Sequence, residues 1–269
     1  MAAEIVKCLP ELIQRVQEHT KTWKRDGFIK PWFRGVSSAE KHKLLPSIYR
    51  YERGLNREFD LTKKFRLMAP GFGKTPETGR IDQWLFLMQH HGVPTRLLDW
   101  TESPLVAAFF ATNTGRRLAG PEEDAAIFVI DPHALNSMAG MNSEDAANFP
   151  NTWVQSRTLQ TIKLAFGTET DQAHKGIYPF ENPVAIYPST IHSRMPSQKS
   201  CFTLHGKNPN DIGTILNYDS EVLLKFVIPK DYIASLAREL QEMGVTNSML
   251  FPDFDGLARE LKVGFGMLE

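Results

Sequence analysis

Apolar residues at helical spacing open the chain: Leu12, Ile13 and Val16 follow Pro10, which predicts an amphipathic helix with proline in its first turn. Trp32-Phe33-Arg34-Gly35-Val36 predicts a short strand. A helix is predicted over residues 55–69, with Leu55, Phe59 and Leu67 among its apolar positions, and the Gly- and Pro-rich stretch at 71–76 predicts a loop. Residues 81–91 predict a further helix, with Ile81, Trp84, Leu85 and Met88 on one face and Gly92 as its C-cap. The clearest strands are Ala125–Ile130 and Glu221–Ile228, rich in β-branched and aromatic residues, and Pro183–Tyr187 and Ser200–Leu204 predict shorter ones. Pro229 opens a predicted helix that runs to Gly244, and Leu257–Leu261 is helical in pattern. Helices and strands intersperse without strict alternation. The expected class is α+β: a single domain with a mixed or antiparallel sheet flanked by helices. Residues 1–24 form an N-terminal strand and helix packed on the domain of residues 25–269.

Composition narrows the class without naming a function. With 269 residues, 42% hydrophobic and 23% charged, the chain can bury a core without a metal or disulfide staple. The longest apolar run, Leu105–Ala111, is far too short to span a bilayer, and the first residues lack an apolar leader, so a cytoplasmic protein with no membrane partner is expected. Cys8 and Cys201 form no C-x-x-C; they are expected to be reduced, and no metal site is expected. Net charge is zero but unevenly spread. Residues 1–80 hold 17 Lys and Arg against 9 Asp and Glu, so an anion-binding half facing an acidic remainder is one reading, and charges that pair on folding are the other. The stretch Lys41–Arg66 carries eight basic residues among Tyr49, Tyr51 and Phe59; it suits either a nucleic-acid backbone or a solvated helix face.

The most informative stretch is Gln89–Ala111. Ser103, or Thr101, can cap a helix that has Pro104 in its first turn, leaving Asp99-Trp100-Thr101-Glu102 as a polar turn at the helix's positive end, where an anion can bind. The alternative is that Asp99 and Thr101 only satisfy backbone donors. Arg34, on its short strand, can grip a phosphate through two parallel hydrogen bonds, or else pair inside the core with a carboxylate such as Asp99. Gly35 admits a ligand or another backbone closely. His90 and His91 are adjacent, point about 100° apart and cannot chelate together; one of them is expected at the site, with His91 the candidate. Arg96 and Gln198 complete the expected contacts, and Arg194 and His205 can line the same cleft, though a core role for His205 is the alternative. Asp253 and Asp255 suit turn and cap chemistry or a cation. The chain has no P-loop, G-x-G-x-x-G, G-x-S-x-G or H-E-x-x-H.

The run from Gln89 to Ala111, together with Phe33-Arg34-Gly35, resembles the FRG domain family, and the resemblance continues through Gln198–Leu204 and Leu250–Gly256. That family is uncharacterised, with members in bacterial and phage conflict, so phage defence is the setting it implies. A second resemblance is to the ADP-ribosyltransferase pattern of an Arg, a hydroxyl turn and a Glu in that chain order, here Arg34, Thr101-Glu102-Ser103 and Glu221. It implies an ADP-ribosyltransferase-like fold, NAD as substrate, phosphate contact by Arg34, a nicotinamide pocket shaped by Thr101 and Ser103, and catalysis by Glu221 through charge stabilisation at the ribose. The chain departs from that pattern in its long spacings and in having Asp219 two positions before Glu221. The expectations are therefore an NAD-using transferase or glycohydrolase with a nucleic-acid or protein acceptor, a non-catalytic nucleotide- or nucleic-acid-binding module, and a protein-interaction module.

Overall fold

The computed structural model describes residues 3–23, 30–113, 122–139, 181–188 and 194–267. Its strands are β1 (Glu4–Ile5), β2 (Trp32–Val36), β3 (Leu97–Thr101), β4 (Ala125–Ile130), β5 (Val184–Ile186), β6 (Ser200–Leu204) and β7 (Leu223–Ile228). They form one sheet in the order β1-β7-β4-β2-β3-β6-β5. Among the described residues only the β1–β7 pair is parallel. The α+β class and the mixed, mostly antiparallel sheet flanked by helices agree with the hydrophobic pattern.

Three helices cover one half of a sheet face: α1 (Leu9–Thr20), α4 (Pro104–Thr112) and α8 (Lys230–Glu242). Leu9, Leu12 and Val16 of α1 and Ile233, Leu236 and Leu240 of α8 pack with Phe33, Ile127, Val129, Leu224 and Phe226 of the strands. Over the other half, Ile81, Leu85 and Phe86 of α3 (Ile81–His90) meet Leu97, Val184, Ile186, Phe202 and Leu204. The opposite face carries Trp32, Leu98, Trp100, Phe128 and Ile130. It is covered by Leu44, by Leu135 of α5 (Pro132–Met138), and by Ile212 of α7 (Ile212–Ile215) with the adjoining Leu216. The remaining α-helices among the described residues are α2 (Gly54–Met68), α6 (Arg194–Ser197), α9 (Asn247–Leu250) and α10 (Phe254–Gly264).

Two local expectations are corrected. Residues 99–101, read as part of a turn, belong to β3: Leu98 and Trp100 enter the core while the Asp99 side chain between them is 57% exposed. That alternation marks a strand, and the polar residues disguised it. The second correction concerns residues 221–222, which precede β7 rather than opening it. Asn217 and Tyr218 adopt left-handed φ angles of 51° and 53°, and the Asp219 carboxylate accepts from the Glu221 N–H at 2.9 Å. The chain is still turning there, and pairing starts only where Leu223 meets Ile130.

The α4 helix begins as its sequence indicates, with the Ser103 hydroxyl accepting from the Val106 N–H at 3.4 Å and Pro104 in the first turn. Its small face of Ala107, Ala108 and Ala111 lies on β2 at Gly35, where a Cβ would stand 1.8 Å from the Ala107 carbonyl oxygen and 2.7 Å from the Ala111 nitrogen. Both neighbours are backbone and cannot yield as a side-chain tip would. Gly35 therefore serves the approach of another backbone, the second of its two expected uses. Gly35→Ala is expected to destabilise the protein by about 3 kcal/mol, at the upper end of overpacking costs, measured as a lowered midpoint in equilibrium chemical unfolding.

Candidate functional site

The strands β2 and β4 pair at five positions, as do β3 and β6, whereas β2 and β3 pair only where Phe33 stands opposite Thr101. Beyond that point the two central strands separate, and a cleft of about 460 Å³ opens at the seam, a size that encloses a small molecule. Its walls are Arg34–Ser37 of β2 and the following residue, Asp99–Thr101 of β3, the end of α3 at Phe86, Gln89 and His90, and Phe110 of α4. Residues 194–202 close one side with Arg194, Met195 and Gln198, and Phe251 stands at the rim.

The lining is rich in cations. Arg34, Arg50 and Arg194 face it together with the imidazoles of His42 and His90, and Asp99 is the one carboxylate among the described residues that line it. The Arg34 side chain is 19% exposed. Its Nη1 donates to the Asp99 main-chain carbonyl at 2.6 Å, a bond across the seam where the strands no longer pair, and lies 3.9 Å from Asp99 Oδ2. Arg34 Nε is buried and makes no hydrogen bond. Burial lowers the proton affinity of Arg34; Asp99 opposes that shift and the Arg50 cation adds to it. Arg50 donates from Nε and Nη2 to the Leu45 carbonyl, and no described carboxylate pairs with it. His42 Nδ1 accepts from the Ser38 N–H, and burial, then Arg50 and Arg34, lower its basicity, so it stays neutral near pH 7.

Arg194 is held differently. It pairs with Asp253, whose carboxylate also caps α10 by accepting from the Gly256 N–H at 2.8 Å, and its guanidinium lies 5.3 Å from the Phe251 ring centre. The Gly256 N–H and the Arg194 cation hold the Asp253 carboxyl below its ordinary range. This is the cap chemistry read from the sequence. Gln198 lines the cleft and donates to the Leu250 carbonyl at 3.1 Å. Thr101 also lines it, donating to the Gln198 carbonyl at 2.7 Å while accepting from the Ser103 N–H at 3.1 Å.

Behind the cleft lies a buried layer. Arg96 is fully buried and forms a two-bond ion pair with Glu58 of α2, with Nε to Oε1 at 2.8 Å and Nη2 to Oε2. His205 is buried, its Nε2 3.3 Å from Thr203 Oγ1, which accepts from Trp100 Nε1 at 3.1 Å. Burial, then the Arg96 and Arg34 cations, push its pKa down to about 3.

The structure thus brings Arg34, Gly35, Asp99, Thr101 and Gln198 to one cleft, joined by Arg194. Four candidates stand elsewhere. His91 is exposed at the C-cap of α3, and His90 takes its place in the lining, because the helix turns about 100° between them. Arg96 belongs to the buried ion pair, and Ser103 to the helix cap. Glu221 is exposed in the turn before β7 and is not among the residues lining the cleft. His205 lies in the core, the alternative foreseen for it. Reasoning from sequence missed Arg50 as an individual contact. It was legible only as part of a basic stretch, of which Arg57, Lys63 and Lys64 are exposed on α2. Phe110 and Phe251 were hidden among core aromatics.

Residues 30–119 match the family described as FRG domain, and an FRG domain is present over that span. The match holds Phe33–Gly35 and the Gln89–Ala111 run; Gln198–Leu204 and Leu250–Gly256 lie beyond it. No curated protein and no solved structure matches the chain. Among the described residues no helix is long and apolar enough to cross a membrane, and no group of three or more His, Cys, Asp or Glu is arranged to hold a metal ion.

The depressed pKa of His205 sets a pH dependence of stability. An unfolded chain takes up this proton near pH 6.5 and the folded protein only near pH 3, so the unfolded state binds more protons between those limits. The contribution of His205 is complete above about pH 6.5 and is lost as pH falls toward 3, by up to ~1.4 kcal/mol per pH unit. In unfolding experiments between pH 7 and 5, His205→Gln is expected to show a shallower loss of stability than the parent protein.

Proposed function

We propose that the cleft binds an anionic ligand of the nucleotide or dinucleotide class, with NAD and ADP-ribose as leading candidates, and that Arg34 and Arg50 hold its phosphate. The observation that carries this reading is the meeting of two guanidinium groups in one cleft with Asp99 as the sole lining carboxylate among the described residues. Asp99 lies 3.9 Å from Arg34 and offsets part of its charge, whereas Arg50 has no described carboxylate; the remaining like-charge repulsion is unfavourable, and an anion between the two guanidinium groups relieves it. Aromatic side chains from both sides, Phe86 and Phe202 on one and Phe110 and Phe251 on the other, offer surfaces for a base.

The ADP-ribosyltransferase reading asks for more. Cleavage of the nicotinamide bond builds positive charge on the ribose, which an aimed carboxylate stabilises. Glu221, the residue that resemblance assigns to this task, stands outside the cleft. The arrangement therefore favours a nucleotide-binding module over a transferase, and a role as a nucleotide sensor suits the setting of bacterial and phage conflict that the FRG resemblance implies. Nucleic acid is the weaker ligand candidate, because Arg57, Lys63 and Lys64 stand on α2 rather than in the cleft.

Calorimetric titration with NAD, ADP-ribose, ATP and a short RNA tests the reading. At least one nucleotide is expected to bind, and Arg34→Ala and Arg50→Ala are each expected to weaken it by roughly 1.5–3 kcal/mol, the size of a charge-assisted hydrogen bond. Absence of binding by all four overturns the proposal. Nicotinamide released from NAD on incubation with the protein would favour the transferase or glycohydrolase reading instead.

A further inference from the structure

The cleft contains one feature that phosphate binding leaves unexplained: an acceptor-only side chain set among cations. We infer that Asp99 reads the sugar of the bound nucleotide, accepting hydrogen bonds from the ribose hydroxyls and so selecting ribonucleotides over deoxyribonucleotides; this rests on the nucleotide-binding reading above.

Three observations converge on Asp99. The first is that its carboxylate is oriented before any ligand arrives. Gln89 Nε2 donates to Oδ2 at 2.8 Å, and Gln89 is itself fixed because Thr95 Oγ1 donates to its Oε1 at 2.5 Å, which sets the direction of the amide. The second is that Oδ1 accepts nothing from any described residue, although the side chain is 57% exposed and lines the cleft. A carboxylate with one oxygen committed and the other open is prepared for a donor. The third is proximity to the phosphate contact. Arg34 Nη1 is tied to the main-chain carbonyl of Asp99 itself and sits 3.9 Å from Oδ2, so the group that attracts an anion and the group that repels one are fixed side by side.

A ligand that satisfies both must carry an anionic group next to neutral hydrogen-bond donors. A 5′-phosphorylated ribose does so within a few bonds, its phosphate facing Arg34 and its hydroxyls facing Asp99. A second phosphate cannot take the position of those hydroxyls, because two anions would face each other there. Deoxyribose leaves the open oxygen without a partner after it has lost water, which is the situation in which a polar site discriminates most strongly.

The test compares ADP with 2′,3′-dideoxy-ADP by calorimetric titration against the full chain, the Asp99→Asn, Gln89→Met and Arg34→Ala variants. The parent protein is expected to prefer ADP by about 10- to 100-fold. In Asp99→Asn the acceptor turns toward Gln89 and the amide donors face the sugar, so the preference is expected to fall to a few-fold. Gln89→Met keeps the carboxylate but frees its orientation, and an intermediate preference is expected. Arg34→Ala is expected to weaken both ligands alike and keep the preference. Equal binding of ADP and its dideoxy analogue by the parent protein overturns the inference while leaving nucleotide binding intact. If neither ligand binds, nor any other nucleotide, the nucleotide-binding reading itself falls.

Discussion

The cleft depends on how closely α4 lies against β2. At Gly35 the helix backbone comes so near that no side chain fits between, and the small face of α4 makes the contact possible along its length. That distance places Phe110 at the cleft wall and sets where the N-terminal end of α4 falls. Ser103 caps that end, Thr101 receives the Ser103 N–H, and the Thr101 hydroxyl holds the Gln198 carbonyl. One packing contact therefore carries through three hydrogen bonds to the segment that bears Arg194. Close-packed interiors transmit such constraints because they have little room to relax.

The second organising feature is an unequal allocation of carboxylates. Arg96 is sealed in the core with Glu58, whose two carboxylate oxygens accept from Nε and Nη2, which gives the buried cation its counter-charge. Arg34 and Arg50 receive main-chain carbonyls instead, with the Asp99 carboxylate only at 3.9 Å from the former. Carbonyl oxygens orient a guanidinium without cancelling its charge. Burial and these cations hold both His42 and His205 below the ordinary histidine range, so neither ring adds to the positive charge that Arg34 and Arg50 bring to the cleft near pH 7.

Much of this was legible in the sequence, and the parts that were not share a cause. Strongly periodic or β-branched segments such as Leu9–Thr20, Ala125–Ile130 and Lys230–Glu242 lie close to where the pattern puts them. The β3 strand escaped because Asp99, Thr101 and Glu102 look like turn chemistry when the neighbouring strands are not known. At the site, Arg34 and Asp99 stood out because each is a polar residue among core aromatics. Arg96 was indistinguishable from them on that ground. What separates Arg34 from Arg96 is a partner 38 positions away from the latter in Glu58, and no local pattern reports a pairing of that span. Glu221 shows the converse: its place before an apolar strand suggested a purpose, yet two left-handed residues upstream carry it to the surface.

The sheet order has a consequence for how the molecule comes into being. The FRG match spans residues 30–119 and contains β2 and β3, which touch each other at one paired position. Every other strand pairing of these two central strands goes to β4 or β6, beyond the matched span. The recognisable stretch of sequence is thus not a foldable unit. During synthesis its two strands remain without most of their partners until β4 and then β6 have been made, and β1, which precedes them in the chain, waits for β7. Pairings of such long sequence separation close late and slowly. Until those partners are made, the apolar centre of this sheet is left without the strands that cover its edges.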